Sequence, residues 1–392
     1  MRKKGLIMQY TDEEICTQFW DDPSQYHGSV SPPIYQTSLF AFKSFKEFTE
    51  AQKLERENYV YSRGVNPTVQ ILEQKLAALE RGEKCKCFSS GMGAISAVFH
   101  TLLRSGDHVV VINNIYGPTT ELIHYLSKFH ISYSVVDHQL TNIYEAIQEN
   151  TKLIYVESPG TMLMKVVDLQ AVTKIAKEQG IVTAIDNTWS TPIFQKPLTL
   201  GFDLSIHSLT KYIGGHSDVI GGAVIGDQDL VDEIFQYGYQ LNGAVLGAHD
   251  AYLINRGLRT LPIRLKQHQE NALNVIEYLQ TKDEVASIYH PSLVKKDSPY
   301  LDKQMKGFTG LLSFELKEAN FLSVSRFIDA LSLFKIGVSW GGYESLVNSP
   351  VKDNNEQQLN EQGISPGLIR LSIGLEGSEL QIDDLEKAFQ QL

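Results

Sequence analysis

The chain is poor in cysteine. Cys16, Cys85 and Cys87 are the three in 392 residues. That is too few for a disulfide framework and fits a reducing cytoplasm. Cys85-x-Cys87 has no second pair to complete a metal site. It reads as two small residues alternating along a strand, and no metal is expected. Positive charge is also short: 35 Lys and Arg against 46 Asp and Glu leave a net charge of −11. No basic face follows, which excludes nucleic acid as a partner. No apolar run is long enough to cross a bilayer, so no membrane partner is expected. The apolar run after Arg2, Lys3 and Lys4 is too short for a secretory signal. Internal repeats and low-complexity segments are missing. With 42% hydrophobic and 21% charged residues, the chain has an ordinary globular composition and the length for two or more domains with sizeable cores.

What is there centres on Ser205–Asp218, SIHSLTKYIGGHSD. Phe202, Leu204 and Ile206 alternate as a strand with one face in a core. Ser208 and Thr210 precede Lys211, and Gly214 and Gly215 let the backbone turn or approach a ligand closely. An ammonium at the end of an apolar strand is either on the surface or desolvated. A desolvated lysine tends to lose its proton and becomes a nucleophile that can form a Schiff base. Hydroxyls beside it suit a phosphate. The combination suggests a lysine holding pyridoxal phosphate.

The remaining motifs fall into an alternating strand and helix pattern. Ser31-Pro32-Pro33-Ile34-Tyr35 cannot be helix interior. An extended aromatic arm follows through Phe40, Phe42, Phe45 and Phe48, packing on its own chain or on a neighbouring subunit. Asn66-Pro67 is a turn, Thr68 is the expected cap of the helix carrying Ile71, Leu72, Leu76 and Leu79, and Gly82 ends it. Arg63 in this loop forms a surface salt bridge or grips an oxyanion with its guanidinium fork. Lys86-Cys87-Phe88 runs into Ser89-Ser90-Gly91-Met92-Gly93 and a helix, a turn that aims free N–H groups at one point. Strands over His108–Ile112, at Val135 and Val136, over Leu153–Val156 and over Ile181–Ile185 come next. Tyr116, Glu157-Ser158-Pro159-Gly160 and Asp186-Asn187-Thr188-Trp189 stand at their ends. The pattern predicts an α/β fold with a mostly parallel sheet and its ligand crevice at the carboxyl ends of the strands. Pyridoxal phosphate needs what collects there: an aromatic to stack on its ring (Tyr116), a carboxylate for its pyridine nitrogen (Asp186), phosphate donors and an amine. As an alternative, Asp186 is a helix cap.

After Gly226 the texture changes. Tyr237-Gly238-Tyr239 leads into a long helical region through Asn255 and Leu265, with Arg256–Leu261 inside it. A smaller α+β region follows, with strands at Phe308–Phe314 and Leu368–Gly374 and a tight turn at Ser339-Trp340-Gly341-Gly342. Lys352–Gln358 reads as an exposed loop. Arg370 lies inside an apolar strand and needs a partner, either an internal carboxylate or that of a substrate.

PPIYQTS, YSRGVNPT, SSGMG, YGPT, ESPG, DNTW, SLTKYIGGHSD, RGLRTL, SWGGYESL and RLSIGLE occur in order from Pro32 to Glu376. In these motifs the chain resembles the γ-family of pyridoxal-phosphate enzymes of cysteine and methionine metabolism, which have the fold type I, aspartate aminotransferase-like architecture. The resemblance implies an N-terminal arm over 1–58, a large cofactor-binding domain over 59–255 and an α+β domain over 256–392. It implies Lys211 as the Schiff-base lysine, Asp186 on the pyridine nitrogen, Tyr116 on the ring, and Gly91, Met92, Ser208 and Thr210 on the phosphate. Tyr61 and Arg63 would reach the phosphate of a neighbouring subunit, in a homotetramer built from dimers with shared active sites. Arg370, Ser339 and Trp340 would bind a sulfur amino acid, with Tyr239 facing the site across the subunit boundary. The activity implied is that of a carbon–sulfur lyase in the β-lyase branch. Val338 stands where many γ-cleaving or γ-replacing relatives carry glutamate and some β-lyases tyrosine, and Pro118 where methionine γ-lyases place cysteine.

Overall fold

The computed structural model describes residues 10–112, 114–294 and 298–392. The basic stretch at Arg2, Lys3 and Lys4 lies outside the described residues. A seven-stranded sheet holds β1 (Lys84–Phe88), β2 (His108–Ile112), β3 (Ser132–Val136), β4 (Thr151–Glu157), β5 (Val182–Asp186), β6 (Leu204–Ser208) and β7 (Gly222–Gly226), in the order β1-β7-β6-β5-β4-β2-β3. β6, β5, β4, β2 and β3 run parallel. β7 is antiparallel to both neighbours, so β1 points the same way as β6. The carboxyl ends of β1, β2, β4, β5 and β6 therefore share one edge. The sequence reading has no strand at β7.

β2, β4, β5 and β7 are largely apolar on both sides because helices cover both faces. Val109, Val111, Leu153, Tyr155, Ala184, Leu204, Ile206 and Val224 pack with the helix Gly91–Leu102. Val110, Ile112, Ile154, Val156 and Ile185 pack with Leu169–Gln179. Cys85 and Cys87 pack among residues of the helices Pro67–Glu80 and Ala248–Leu258, as small apolar strand residues. All three cysteines are buried and free.

Several local expectations change. Asn66, not Thr68, caps the helix Pro67–Glu80, because its side chain accepts the Thr68 N–H. The Thr68 hydroxyl instead accepts the Tyr35 N–H and donates to the Pro33 carbonyl, tying the extended arm to its own chain. Phe45 and Phe48 do not continue the extended arm but lie in the helix Phe45–Lys53, which Ser44 caps; Leu39 and Phe45 stay exposed. The helical region after Tyr239 is broken. A π-helix spans Ile234–Tyr239, and α-helices span Ala248–Leu258 and Leu261–Leu279. Pro262 lacks an N–H and is tolerated only in a first turn, so it starts the second of these helices. Residues 255 and 256, where the sequence reading places a domain boundary, both lie inside Ala248–Leu258. The Lys352–Gln358 stretch ends in the short helix Glu356–Glu361.

The second sheet contains β8 (Val285–Tyr289), β9 (Leu311–Leu316), β10 (Lys335–Ile336), β11 (Leu346–Asn348) and β12 (Leu368–Ser372), in the order β10-β11-β12-β9-β8. Ile369 and Leu371 of β12 face a core shared with the helices Phe321–Ala330 and Ser378–Phe389. Strand alternation turns Arg370 to the opposite face. The helix Leu261–Leu279 links the two bodies. Its Leu261 and Leu265 enter the first core, and Ala272, Val275, Ile276 and Leu279 enter the second.

Candidate active site

Each strand end on the shared edge delivers one element of the site. After β1, Ser90 caps the helix Gly91–Leu102 by accepting the Gly93 N–H at 2.9 Å. That leaves the Gly91 and Met92 N–H groups, which a helix cannot bond internally, pointing outward. This turn lies hard against β7. A Cβ on Gly222 would sit 2.1 Å from the Ser90 carbonyl oxygen, so only glycine fits there.

Tyr116 follows β2 as the N-cap residue of the helix Gly117–Leu126, and its side chain is 49% exposed. Its backbone N–H donates to Glu157 Oε2 at 2.7 Å. Glu157 ends β4 in register with Asp186, which ends β5. Burial, then the nearby Asp186 charge, pushes Glu157 well above the ordinary carboxylate range.

Asp186 is not a helix cap. Thr188 donates both its N–H (3.0 Å) and its hydroxyl (2.5 Å) to Asp186 Oδ1, and among the described residues no bond engages Oδ2. The same Thr188 hydroxyl oxygen accepts the Ser208 N–H at 2.8 Å, joining the ends of β5 and β6. Burial raises Asp186 above its usual value, against the hydrogen bonds from Thr188.

Lys211 is partly buried two residues beyond the buried Leu209. Its Nζ is 2.7 Å from Ser339 Oγ and 5.3 Å from the Trp340 ring centroid. Burial, with the Arg370 charge adding to it, lowers the amine to about 8, and Asp186 works in the opposite direction. The Ser339–Gly342 turn comes from the C-terminal body. Ser339 holds φ at +78°, and a Cβ on Gly341 would lie 2.8 Å from the Tyr212 nitrogen, so the turn is pressed onto the backbone that carries Lys211. Arg264 fixes that backbone from behind by donating to the Tyr212 carbonyl at 2.8 Å.

Arg370 donates to the Ser339 carbonyl at 3.3 Å. Among the described residues no carboxylate pairs with it, which removes the internal partner the sequence left open. Ser208 meets the Gly91 turn, its Cβ lying 3.0 Å from where a Gly91 Cβ would be. Thr210 accepts the Gly221 N–H at 3.1 Å and donates to the Gly221 carbonyl over a long 3.4 Å. Arg63 donates to Gln240 Oε1 at 3.1 Å, with its guanidinium 5.5 Å from the exposed Tyr61 ring. Among the described residues it forms no salt bridge.

Tyr239 is a correction. It is 1% exposed, stacks on Phe235 and meets Phe88 edge-on, so it faces the core and not a ligand. The π-helix turns it inward. Glu157, Thr188 and Arg264 were missed as site residues. The first two stand inside the ESPG and DNTW motifs, and Arg264 gave no sequence signal.

A mostly parallel sheet whose shared edge gathers a depressed lysine, an acid, an aromatic and free helix N–H groups defines a fold type I pyridoxal-phosphate enzyme. Residues 16–390 match the Cys/Met metabolism PLP-dependent enzyme family, and the chain belongs to it. It is 41% identical over 375 residues to an L-methionine gamma-lyase of Fusobacterium nucleatum subsp. polymorphum, covering 93% of this chain and 95% of that protein. It is 40% identical over 374 residues to a cystathionine beta-lyase of Lactococcus lactis subsp. cremoris (strain MG1363), with the same two shares. A cystathionine gamma synthase structure from Xanthomonas oryzae pv. oryzae superposes with a TM-score of 0.89 at 36% identity, over 98% of this chain and 100% of that one.

The residues present fit the cofactor. Lys211 has an amine able to bond its aldehyde, and Asp186 Oδ2 is open to a protonated ring nitrogen. Gly91, Met92 and Ser208 offer donors for its phosphate.

Proposed function

We propose that the chain is a carbon–sulfur lyase that cleaves L-cystathionine by β-elimination, releasing homocysteine, pyruvate and ammonia. The observation that carries its amino-acid substrate is Arg370, a cation facing Lys211 that no carboxylate pairs with among the described residues. An amino-acid substrate brings the missing carboxylate, and the guanidinium fork matches it. Pyridoxal phosphate, when bound, supplies the electron sink for the pair left behind when a Cα proton departs. Lys211 Nζ takes that proton, and its lowered basicity suits a base working near neutral pH. Ser339 Oγ holds the amine in place. Lys211 and Tyr116 are the groups that carry a proton toward the leaving sulfur. Asp186 keeps positive charge on the ring nitrogen.

Val338 supports β- over γ-cleavage. It is 80% exposed beside Ser339 and offers no carboxylate to a distal ammonium. Pro118 points the same way, since it leaves no thiol two residues beyond Tyr116. Cysteine desulfhydration uses the same groups. A second reading, γ-cleavage of methionine, is favoured by the similarity to L-methionine gamma-lyases.

Arg63, with only a neutral partner among the described residues, and the exposed Tyr61 serve the phosphate of a second copy, making a dimer the active unit and a tetramer of two dimers the assembly. The three free cysteines accord with a cytoplasmic enzyme.

Product analysis with L-cystathionine tests the reading. Pyruvate with homocysteine is expected. 2-Oxobutyrate with cysteine would overturn it in favour of γ-cleavage.

A further inference from the structure

Lys86 is 5% exposed in β1 and carries an ammonium that the Lys211 site does not use. Three other segments meet it. Glu73 of the helix Pro67–Glu80 pairs with Nζ at 3.1 Å. The Gly64 carbonyl, in the loop after Tyr61 and Arg63, accepts from Nζ at 2.8 Å. The π-helix Ile234–Tyr239 lays two rings on it, Tyr239 at 4.5 Å and Phe235 at 5.2 Å from their centroids. Glu73 Oε1 also accepts the Cys87 N–H at 3.0 Å, so the junction is tied to the strand backbone.

Packing alone does not call for this charge. A long apolar side chain would fill the space between the rings without the cost of burying an ammonium and a carboxylate. It would not hold the Gly64 carbonyl. Burial pulls the Lys86 amine down, but Glu73 and Tyr239 outweigh it and the net direction is upward, so the group stays charged.

The π-helix supplies the other half of a clasp. π-helical turns are rare and concentrate at functional sites. This one ends at Tyr239, and the next residue, Gln240, accepts from Arg63 Nε at 3.1 Å. Its Nε2 lies 3.3 Å from where a Gly64 Cβ would be. Lys86 thus holds the backbone beside Arg63, while Gln240 holds the guanidinium.

We propose that Lys86 and Gln240 are positioning residues that fix the Tyr61–Arg63 loop, so that Arg63 is presented in one orientation to the phosphate of the cofactor held by a second copy of the chain. The proposal rests on the reading that Arg63 serves that phosphate.

The test compares apoprotein affinity for pyridoxal 5′-phosphate with affinity for pyridoxal, which lacks the phosphate. The ratio isolates the phosphate grip. Lys86→Met is combined with Glu73→Gln so that no lone carboxylate stays buried. Gln240→Ala leaves those charges untouched and covers the case in which the double variant does not fold. Arg63→Ala is the reference and should lower the ratio by about tenfold or more, as expected for a hydrogen-bonded charge. The double variant should lower it about fivefold and Gln240→Ala about threefold, with pyridoxal affinity kept within about twofold. An unchanged ratio in both, while Arg63→Ala lowers it, would overturn the proposal. Equal loss toward both ligands would assign Lys86 to stability alone and overturn it too. An unchanged ratio in Arg63→Ala would remove the underlying reading of Arg63 instead, and the inference with it.

Discussion

Ser339 places its hydroxyl 2.7 Å from Nζ of Lys211, although 128 positions separate them in the chain. The contact joins the two bodies at the reacting amine. Ser339 reaches it only by holding φ at +78°, a region that side chains other than glycine rarely occupy.

That geometry separates two variants. Ser339→Ala and Ser339→Gly both remove the hydroxyl, and both should lower kcat/KM by between about tenfold and a hundredfold, the worth of a hydrogen bond to a charged group. Only glycine relieves the backbone. Thermal unfolding should show Ser339→Gly at least as stable as the parent and Ser339→Ala no more stable than it. The reverse order would mean that the strain is not real.

Lys211 in the apoprotein should capture pyridoxal phosphate with a rate set by its neutral fraction. Its value of about 8 means that this fraction rises as pH climbs through 8. Loading should speed up by about tenfold from pH 7 to pH 9 and then level off. An ordinary lysine would keep gaining to higher pH. Because Arg370 adds to the depression, Arg370→Leu should move the midpoint upward and Arg370→Lys should restore it. Stopped-flow absorbance reads both; an unmoved midpoint in Arg370→Leu would show burial acting alone.

Glu157 should behave as a neutral acceptor. It stands in register with Asp186 and is pushed well above the carboxylate range by burial and by that neighbour, which favours its protonated form. Glu157→Gln preserves an acceptor for the Tyr116 N–H, and its kcat/KM should stay within about threefold of the parent. Glu157→Ala orphans that N–H and lets Tyr116 shift, and a loss of about tenfold or more is expected. A glutamine variant as damaged as the alanine variant would show that an ionised carboxylate is required.

Much of the site was legible because chemistry follows strand ends. Periodicity located β2, β4, β5 and β6, and parallel pairing then requires their carboxyl ends to lie together, so Tyr116, Asp186 and Lys211 converge. β7 was not legible. Gly222–Gly226 is a five-residue apolar run, and it is a strand because β1 and β6 pair with it on either side. Tyr239 was placed at the site by the resemblance alone, and no periodicity at the end of that irregular segment shows which way it points.

The sequence by itself determined the composition of the site: a lysine after an apolar strand, an acid, an aromatic and a glycine turn before a helix. Those are local patterns, and local sterics and solvation suffice to write them. Tertiary structure alone decided the partners. Thr188 joining Asp186 to Ser208, Arg264 behind Tyr212, Ser339 on Lys211 and Arg370 meeting the Ser339 carbonyl all depend on contacts between distant segments. Side-chain type fixes what a group can bond; only the packed chain fixes which of its possible partners are within reach.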